Sequence, residues 1–321
     1  MSEKVPLLEI KDLKKFFRVP AGTNHAVDGV SFTINKGETL GVVGESGCGK
    51  STLGRTIIRL QEATAGQVLL NGKDITHVKG RELKEARTKM QIIFQDPYSS
   101  LNPRKSIDFT VQEPLRRSGK YSRKELEEAT AHLMELVGID ERLSRSYPHE
   151  LDGGRRQRVG IARALALNPE FIVCDEPVSA LDVSIQAQVL NLLMDLQQKL
   201  GLAYLFVTHD LSVVRHISNH ILVMYLGQAV EKAPTKDLFA RNLHPYTKAL
   251  LSAIPSVDLL KPMQRIQLKG EITSPINPKP GCRFAPRCPY ATEECQQPQV
   301  LEEVLPGHFV QCCHCREING L

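Results

Sequence analysis

Residues 44–52 read GESGCGKST, and no other stretch limits so sharply what this chain can fold into. The apolar run Thr39–Val43 (TLGVV) precedes it and reads as a buried strand, while residues 53–60 read as the opening of a helix. Strand, Gly-x-x-x-x-Gly-Lys-Ser loop and helix in that order form a phosphate-binding loop. Glycines let the backbone turn tightly, so successive N–H groups face one anion cavity, and the helix N-terminus adds partial positive charge there. The nucleotide-binding set is therefore Gly44, Ser46, Gly47, Cys48, Gly49, Lys50, Ser51 and Thr52. Lys50 is expected at the outer phosphates and the Ser51 hydroxyl on Mg²⁺. The expected ligand is a nucleoside triphosphate.

Length and charge narrow the class. A chain of 321 residues suggests two domains, or one with an appendage, and 41% hydrophobic residues can bury a sizeable core. A net charge of +5 is too mild to argue for nucleic acid. No apolar run approaches bilayer length, and the N-terminus lacks the plan of a signal peptide, so a cytoplasmic protein is expected.

Along the chain, residues 7–12 and 30–34 read as paired strands, with Phe16 and Phe17 in a polar loop between them. Either aromatic suits stacking on adenine or covering the core. Residues 66–71 and 90–94 are further strands, the second followed by Gln95 and the turn-rich stretch 96–104. Ser122 and Glu125 make a capping box for a helix over 122–137. Residues 151–167 (LDGGRRQRVGIARALAL) read as a glycine-led helix, 171–174 as a strand ending at Asp175 and Glu176, 183–199 as a helix, and 203–208 as a strand ending at His209. Strands alternating with helices predict an α/β fold with a parallel sheet covered on both faces. Ligands then sit at the carboxyl ends of the strands, where the phosphate loop, Gln95, Asp175, Glu176 and His209 all fall. Asp175 suits the Mg²⁺ shell and Glu176 a general base on water. His209 suits the γ-phosphate side, and Gln95 the metal or the water.

These residues resemble the nucleotide-binding subunit of an ATP-binding-cassette transporter over nearly the whole chain. The resemblance rests on the loop at 44–52, Gln95, the glycine signature at 151–155, FIVCDEP at 171–177, Ser179–Asp182 (SALD) and His209. It implies a P-loop NTPase core with an antiparallel β subdomain and a helical subdomain at about 96–167. Phe17 takes the adenine-stacking place. Two such subunits meet head to tail, so Asp152, Gly153 and Gly154 face a partner's ATP. Residues 95–104 (QDPYSSLNPR) and 243–255 (LHPYTKALLSAIP) are similar to the dipeptide and oligopeptide importers and their nickel-carrying relatives. The implied setting is the cytoplasmic face of a membrane. The implied partners are a second, different ATPase subunit (a homodimer being the alternative for the isolated chain), two permease subunits and, indirectly, an extracellular solute-binding protein. In such importers the segment after Gln95 touches the permeases. A soluble cassette protein of DNA repair or translation is the first rival, and an iron–sulfur sensor regulated by its cassette the second.

The signature departs from the family's Leu-Ser-Gly-Gly-Gln, reading Leu151-Asp152-Gly153-Gly154-Arg155. An aspartate about 4 Å from phosphate costs on the order of 4 kcal/mol at an effective dielectric near 20. Arg155 and Arg156 can offset this, and Asp152 also suits a helix N-cap turned from the ligand.

Six of the eight cysteines crowd the last forty residues, which in a reducing compartment argues a metal site over disulfides. Frequent proline and glycine place a domain boundary near 256, separating residues 1–255 from a tail, 256–321. Cys282, Cys288, Cys295 and Cys312 supply four thiolates, with Cys313 and Cys315 competing for the fourth place. Four thiolates suit zinc or an iron–sulfur cluster. The long gaps lean toward a cluster, and the resemblance implies 4Fe–4S, with zinc as the alternative.

Overall fold

The computed structural model describes residues 5–253, 265–268, 270 and 274–321. The boundary expected near residue 256 lies outside the described residues. The chain divides into two compact units: Met1–Ile34, Thr39–His77 and Phe206–Leu321 in the first, Asn35–Glu38 and Val78–Leu205 in the second. Among the described residues no helix is long and apolar enough to cross a membrane.

The first unit opens with antiparallel strands Leu8–Val19 and Gly22–Ile34, with Ala65–Leu70 on the other edge of the first strand. Phe16 and Phe17 are not in a loop but in this strand, opposite His25 and Asn24. Register shifts between Ile10 and Phe16 break the period-two pattern, which hid the strand from a reading by alternation. A second sheet in this unit starts from Thr39–Val43, all five residues buried, running parallel to His220–Tyr225. From there it turns antiparallel through Gln228–Pro234, His308–Val310 and Glu302–Leu305. The sheet is therefore mixed where a parallel one was expected, because hairpins join His220–Tyr225 to Gln228–Pro234 and Glu302–Leu305 to His308–Val310.

The second unit pairs Met90–Ile93 in parallel with Phe171–Asp175. Helices Ile107–Ser118, Arg123–Leu136 and Gly153–Leu165 pack on one another. The capping box is formed: Glu125 N–H donates to Ser122 Oγ (3.4 Å) and Ser122 N–H to Glu125 Oε2 (2.7 Å). Strand Ala203–Val207 begins in this unit and ends in the first.

The tail hairpin is held to the first unit by a buried carboxylate. Glu231, fully buried, accepts from Leu243 N–H (2.8 Å), His244 N–H (3.0 Å) and His308 Nε2 (2.7 Å). His244 is also buried, and its Nδ1 accepts from Tyr246 N–H (3.1 Å), capping helix Pro245–Ser252. Burial lowers the pKa of His244 from 6.5 to about 4, although Glu231 and the Gln311 backbone pull the other way. The folded ring is neutral, while the unfolded one takes a proton below about 6.5. Stability is thus lost as pH falls from about 6.5 to about 4 and no further below that. The urea midpoint of the His244→Asn variant, which keeps a cap acceptor, should vary less across this window than that of the parent. Equal slopes would contradict this account.

Candidate functional site

The phosphate loop takes its path from its neighbours. Gly44 and Gly49 have φ of +152° and +105°, and a Cβ would stand 2.2 Å from the Met224 carbonyl oxygen at the first and 1.9 Å from that of Ala26 at the second. Only glycine fits either place. Gly227 N–H donates to Cys48 O (2.8 Å) and Asp28 N–H to Gly227 O (2.8 Å). The helix begins at Lys50 and runs Lys50–Ile57, earlier than its apolar pattern implied, so Lys50, Ser51 and Thr52 form its first turn. Buried Lys50 folds its Nζ onto the carbonyls of Gly44 (2.8 Å) and Glu45 (3.0 Å). Burial raises the pKa of the Cys48 thiol, 3.8 Å from that Nζ.

Two more expected residues lie in the same unit. Thr208 N–H donates to Val42 O (3.2 Å), so His209 leaves the sheet beside the strand that feeds the loop. Asp210 then caps helix Leu211–Ile217. Phe16 stacks on His25 (centroids 3.9 Å apart), whose Nδ1 meets Asp28 Oδ2 at 2.9 Å. Phe17 stands half-buried with Lys15 Nζ 4.8 Å from its ring centre. Of the two aromatics, Phe16 is engaged in packing.

In the second unit, Asp175 is buried at the end of its strand. Glu176 follows with φ of +47°, a conformation rare for residues other than glycine. Its carbonyl accepts from Ser179 N–H (3.3 Å) and Oγ (3.1 Å), and its carboxylate Oε2 accepts from Gln95 Nε2 (2.9 Å). Gln95 and Glu176, 81 residues apart in sequence, thus meet as a pair.

Asp152 is the N-cap of helix Gly153–Leu165: Oδ1 accepts from Arg155 N–H (2.7 Å), and Oδ2 lies 3.4 Å from Arg155 Nε. A Cβ on Gly154 would meet Ile185 Cγ2 at 2.5 Å. Arg156, buried, donates to Pro148 O and stacks 3.6 Å over the Tyr98 ring. Arg155 pairs with the Asp152 carboxylate, both side chains staying largely exposed, and Arg156 is committed to packing.

The tail brings its cysteines together. Cys282 N–H donates to Cys295 O (2.7 Å), and Cys295 Sγ lies 3.9 Å from Cys313 Sγ. Ligand atoms of Cys295, Cys313 and His314 fall within 4.8 Å of one another. Burial raises the pKa values of Cys282 and Cys288, with other thiols of the group adding to it, and lifts that of Cys312 to about 12. Thiols crowded and desolvated in this way are a soft donor set that a thiolate-bound cation would stabilise. The geometry groups Cys313 and His314 with Cys295, two neighbours that spacing alone ranked below Cys312 or passed over.

Reading the sequence alone also missed Tyr246, Arg283 and Arg287. Glu45 N–H donates to the Tyr246 hydroxyl (2.9 Å), and Arg287 Nη1 reaches the Glu45 carboxylate (2.9 Å). The residue separations, 201 and 242, leave no local signal.

Comparison with known proteins accords with this arrangement. A family model described as "ABC transporter" matches residues 27–179, and one described as "Oligopeptide/dipeptide transporter, C-terminal region" matches 230–295. The oligopeptide transport ATP-binding protein AppF of Bacillus subtilis is 50% identical over 317 residues, covering 95% of this chain and 96% of the relative. The dipeptide transport ATP-binding protein DppF of Haemophilus influenzae is 49% identical over 321 residues, covering 98% of each. Among solved structures, cbiO1 of Clostridium perfringens, part of the ABC transporter complex cbiONQ, superposes with a TM-score of 0.66 at 28% identity, covering 74% of this chain and 91% of its own. The cassette MJ0796, in a dimer bound to ADP and Pi, gives 0.65 at 29% identity, covering 71% and 98%. With that identity and coverage, the chain belongs to the ATPases of the ATP-binding-cassette transporter family, in the oligopeptide/dipeptide transporter branch.

Proposed function

We propose that this protein is the ATP-hydrolysing subunit of a peptide importer, working at the cytoplasmic face of a membrane with two permease subunits and a second, different ATPase subunit. The observation that carries this reading is the phosphate loop, whose Lys50 stands over the loop carbonyls in a chain about half identical to two peptide-transport ATP-binding proteins.

In this mechanism the loop N–H groups and Lys50 bind the β- and γ-phosphates, and Phe17 stacks on adenine. Ser51, Asp175 and Gln95 would hold Mg²⁺, which would supply positive charge to offset that of the phosphates. Glu176 takes a proton from the attacking water, which His209 orients against the γ-phosphate. Permease contact falls on residues 95–104 and on a groove of about 1040 Å³ in the second unit, lined by Arg81, Lys84, Arg87, Arg117 and Lys120 with Glu85 and Glu113. Its basic excess suits a short cytoplasmic helix with acidic residues. Replacing Glu176 by Gln should lower ATP turnover about a hundredfold or more while leaving Mg·ATP binding in place. Turnover kept within a few fold would remove Glu176 from the role of base.

In the head-to-tail dimer, Asp152 stands where the family has serine, so the ATP site completed by this signature is the weaker of the two. Capping and the Arg155 contact reduce the charge presented to phosphate without removing it. The Asp152→Ser/Arg155→Gln variant should raise turnover of the reconstituted heterodimer several-fold; unchanged turnover would sink the asymmetry.

Cys282, Cys288 and Cys295, with Cys312 or Cys313, would hold a thiolate-bound centre, a 4Fe–4S cluster with zinc as the alternative. Such a centre supplies a structural staple for a tail too small to build a large core. Anaerobically purified protein should carry about four irons and four sulfides per chain. One zinc without sulfide would make the staple zinc, and no metal would remove it.

A further inference from the structure

The tail reaches past its cysteines to the nucleotide-facing loops of the first unit. Between Cys282 and Cys288 the chain makes a tight turn, Ala285–Arg287. Phe284, almost fully buried, packs against Tyr225 and Tyr246 with ring centres 5.3 and 5.4 Å away. Arg283 donates to Leu226 O and Asp28 Oδ2, beside the backbone that fixes the phosphate loop. Arg287, its side chain 9% exposed, donates through Nη1 to both Glu45 oxygens, at 3.1 and 2.9 Å, and lies 3.4 Å from the Tyr225 hydroxyl. Farther back, Thr23 N–H donates to Asn277 Oδ1 (2.9 Å) and Asn277 N–H returns to Thr23 O (2.9 Å), on the hairpin that carries Phe17.

Glu45 is the second residue of the phosphate loop and the one carboxylate within it. A bare carboxylate there opposes a triphosphate with like charge, and in a partly buried setting the repulsion is weakly screened. Its N–H is already taken by Tyr246, so the residue contributes that group to the loop's wall and not to the anion. We propose that Arg287 is a positioning residue for ATP: it neutralises Glu45 and holds its carboxylate away from the phosphates, with Phe284 and Arg283 fixing the turn that delivers it. The tail thereby tunes nucleotide affinity without touching nucleotide. This rests on the reading of residues 44–52 as the ATP phosphate loop.

The test is Mg·ATP titration calorimetry on the full chain carrying Glu176→Gln to stop turnover. In that background Arg287→Met should raise Kd roughly tenfold, and Arg287→Lys, which keeps the charge but presents fewer donors, by less. The double variant Arg287→Met/Glu45→Gln should bind within about threefold of the parent, because the neutral amide removes the repulsion. A merely structural arginine would not be rescued in this way. An Arg287→Met Kd equal to the parent's, or a double variant no better than Arg287→Met, overturns the proposal. Glu45→Gln alone keeps the test decisive should Arg287→Met fail to fold: it should bind ATP at least as well as the parent, and weaker binding overturns the proposal. Lys50→Ala separates the two levels. If it leaves ATP binding unchanged, the phosphate-loop reading itself falls; if it abolishes binding while Arg287→Met does nothing, only the role of Arg287 falls.

Discussion

A Cβ at Gly49 would meet the Ala26 carbonyl oxygen at 1.9 Å, and that carbonyl cannot move aside freely. Its segment is tied through Asp28 N–H to Gly227 O, and Gly227 N–H is tied to Cys48 O. Three stretches far apart in sequence thus fix one another through backbone groups alone, with no side chain that could be exchanged. Lys50 and the first turn of its helix take their places from this knot. The tail adds to it from outside, since Arg283 bonds both the Leu226 carbonyl and the Asp28 side chain.

Local chemistry made much of the fold legible. The phosphate loop could be read because glycine, lysine and serine are each demanded at fixed positions, and the Ser122–Glu125 capping box because both partners lie within one turn. Strands such as Phe171–Asp175 and Ala203–Val207 announced themselves by unbroken apolar runs, all buried. The strand holding Phe16 and Phe17 did not, because bulges erased its alternation. The antiparallel turn of the first unit's sheet was hidden for another reason: Gln228–Pro234 contains Glu231 and Lys232, which read as solvent residues until His308 and two backbone N–H groups are seen around the glutamate.

The site was legible in proportion to how local each role is. Asp152 as a helix cap follows from its place before Gly153, and the structure has it in that role. That Gln95 and Glu176 share one edge of the sheet followed from both ending strands; their direct pairing did not. The tail's contacts with Thr23, Asp28 and Glu45 had no such handle. Each joins residues more than 240 positions apart, and no periodicity records such a contact. Likewise the grouping of Cys313 and His314 with Cys295 depends on how the chain folds back on itself, which spacing does not record.

The bond from Gln95 Nε2 to Glu176 Oε2 sets the terms on which water meets this carboxylate. While the amide proton sits on that oxygen, a water molecule competes for the carboxylate with a partner already in place. Any water that is to be activated at this carboxylate must share it with the amide or take its place.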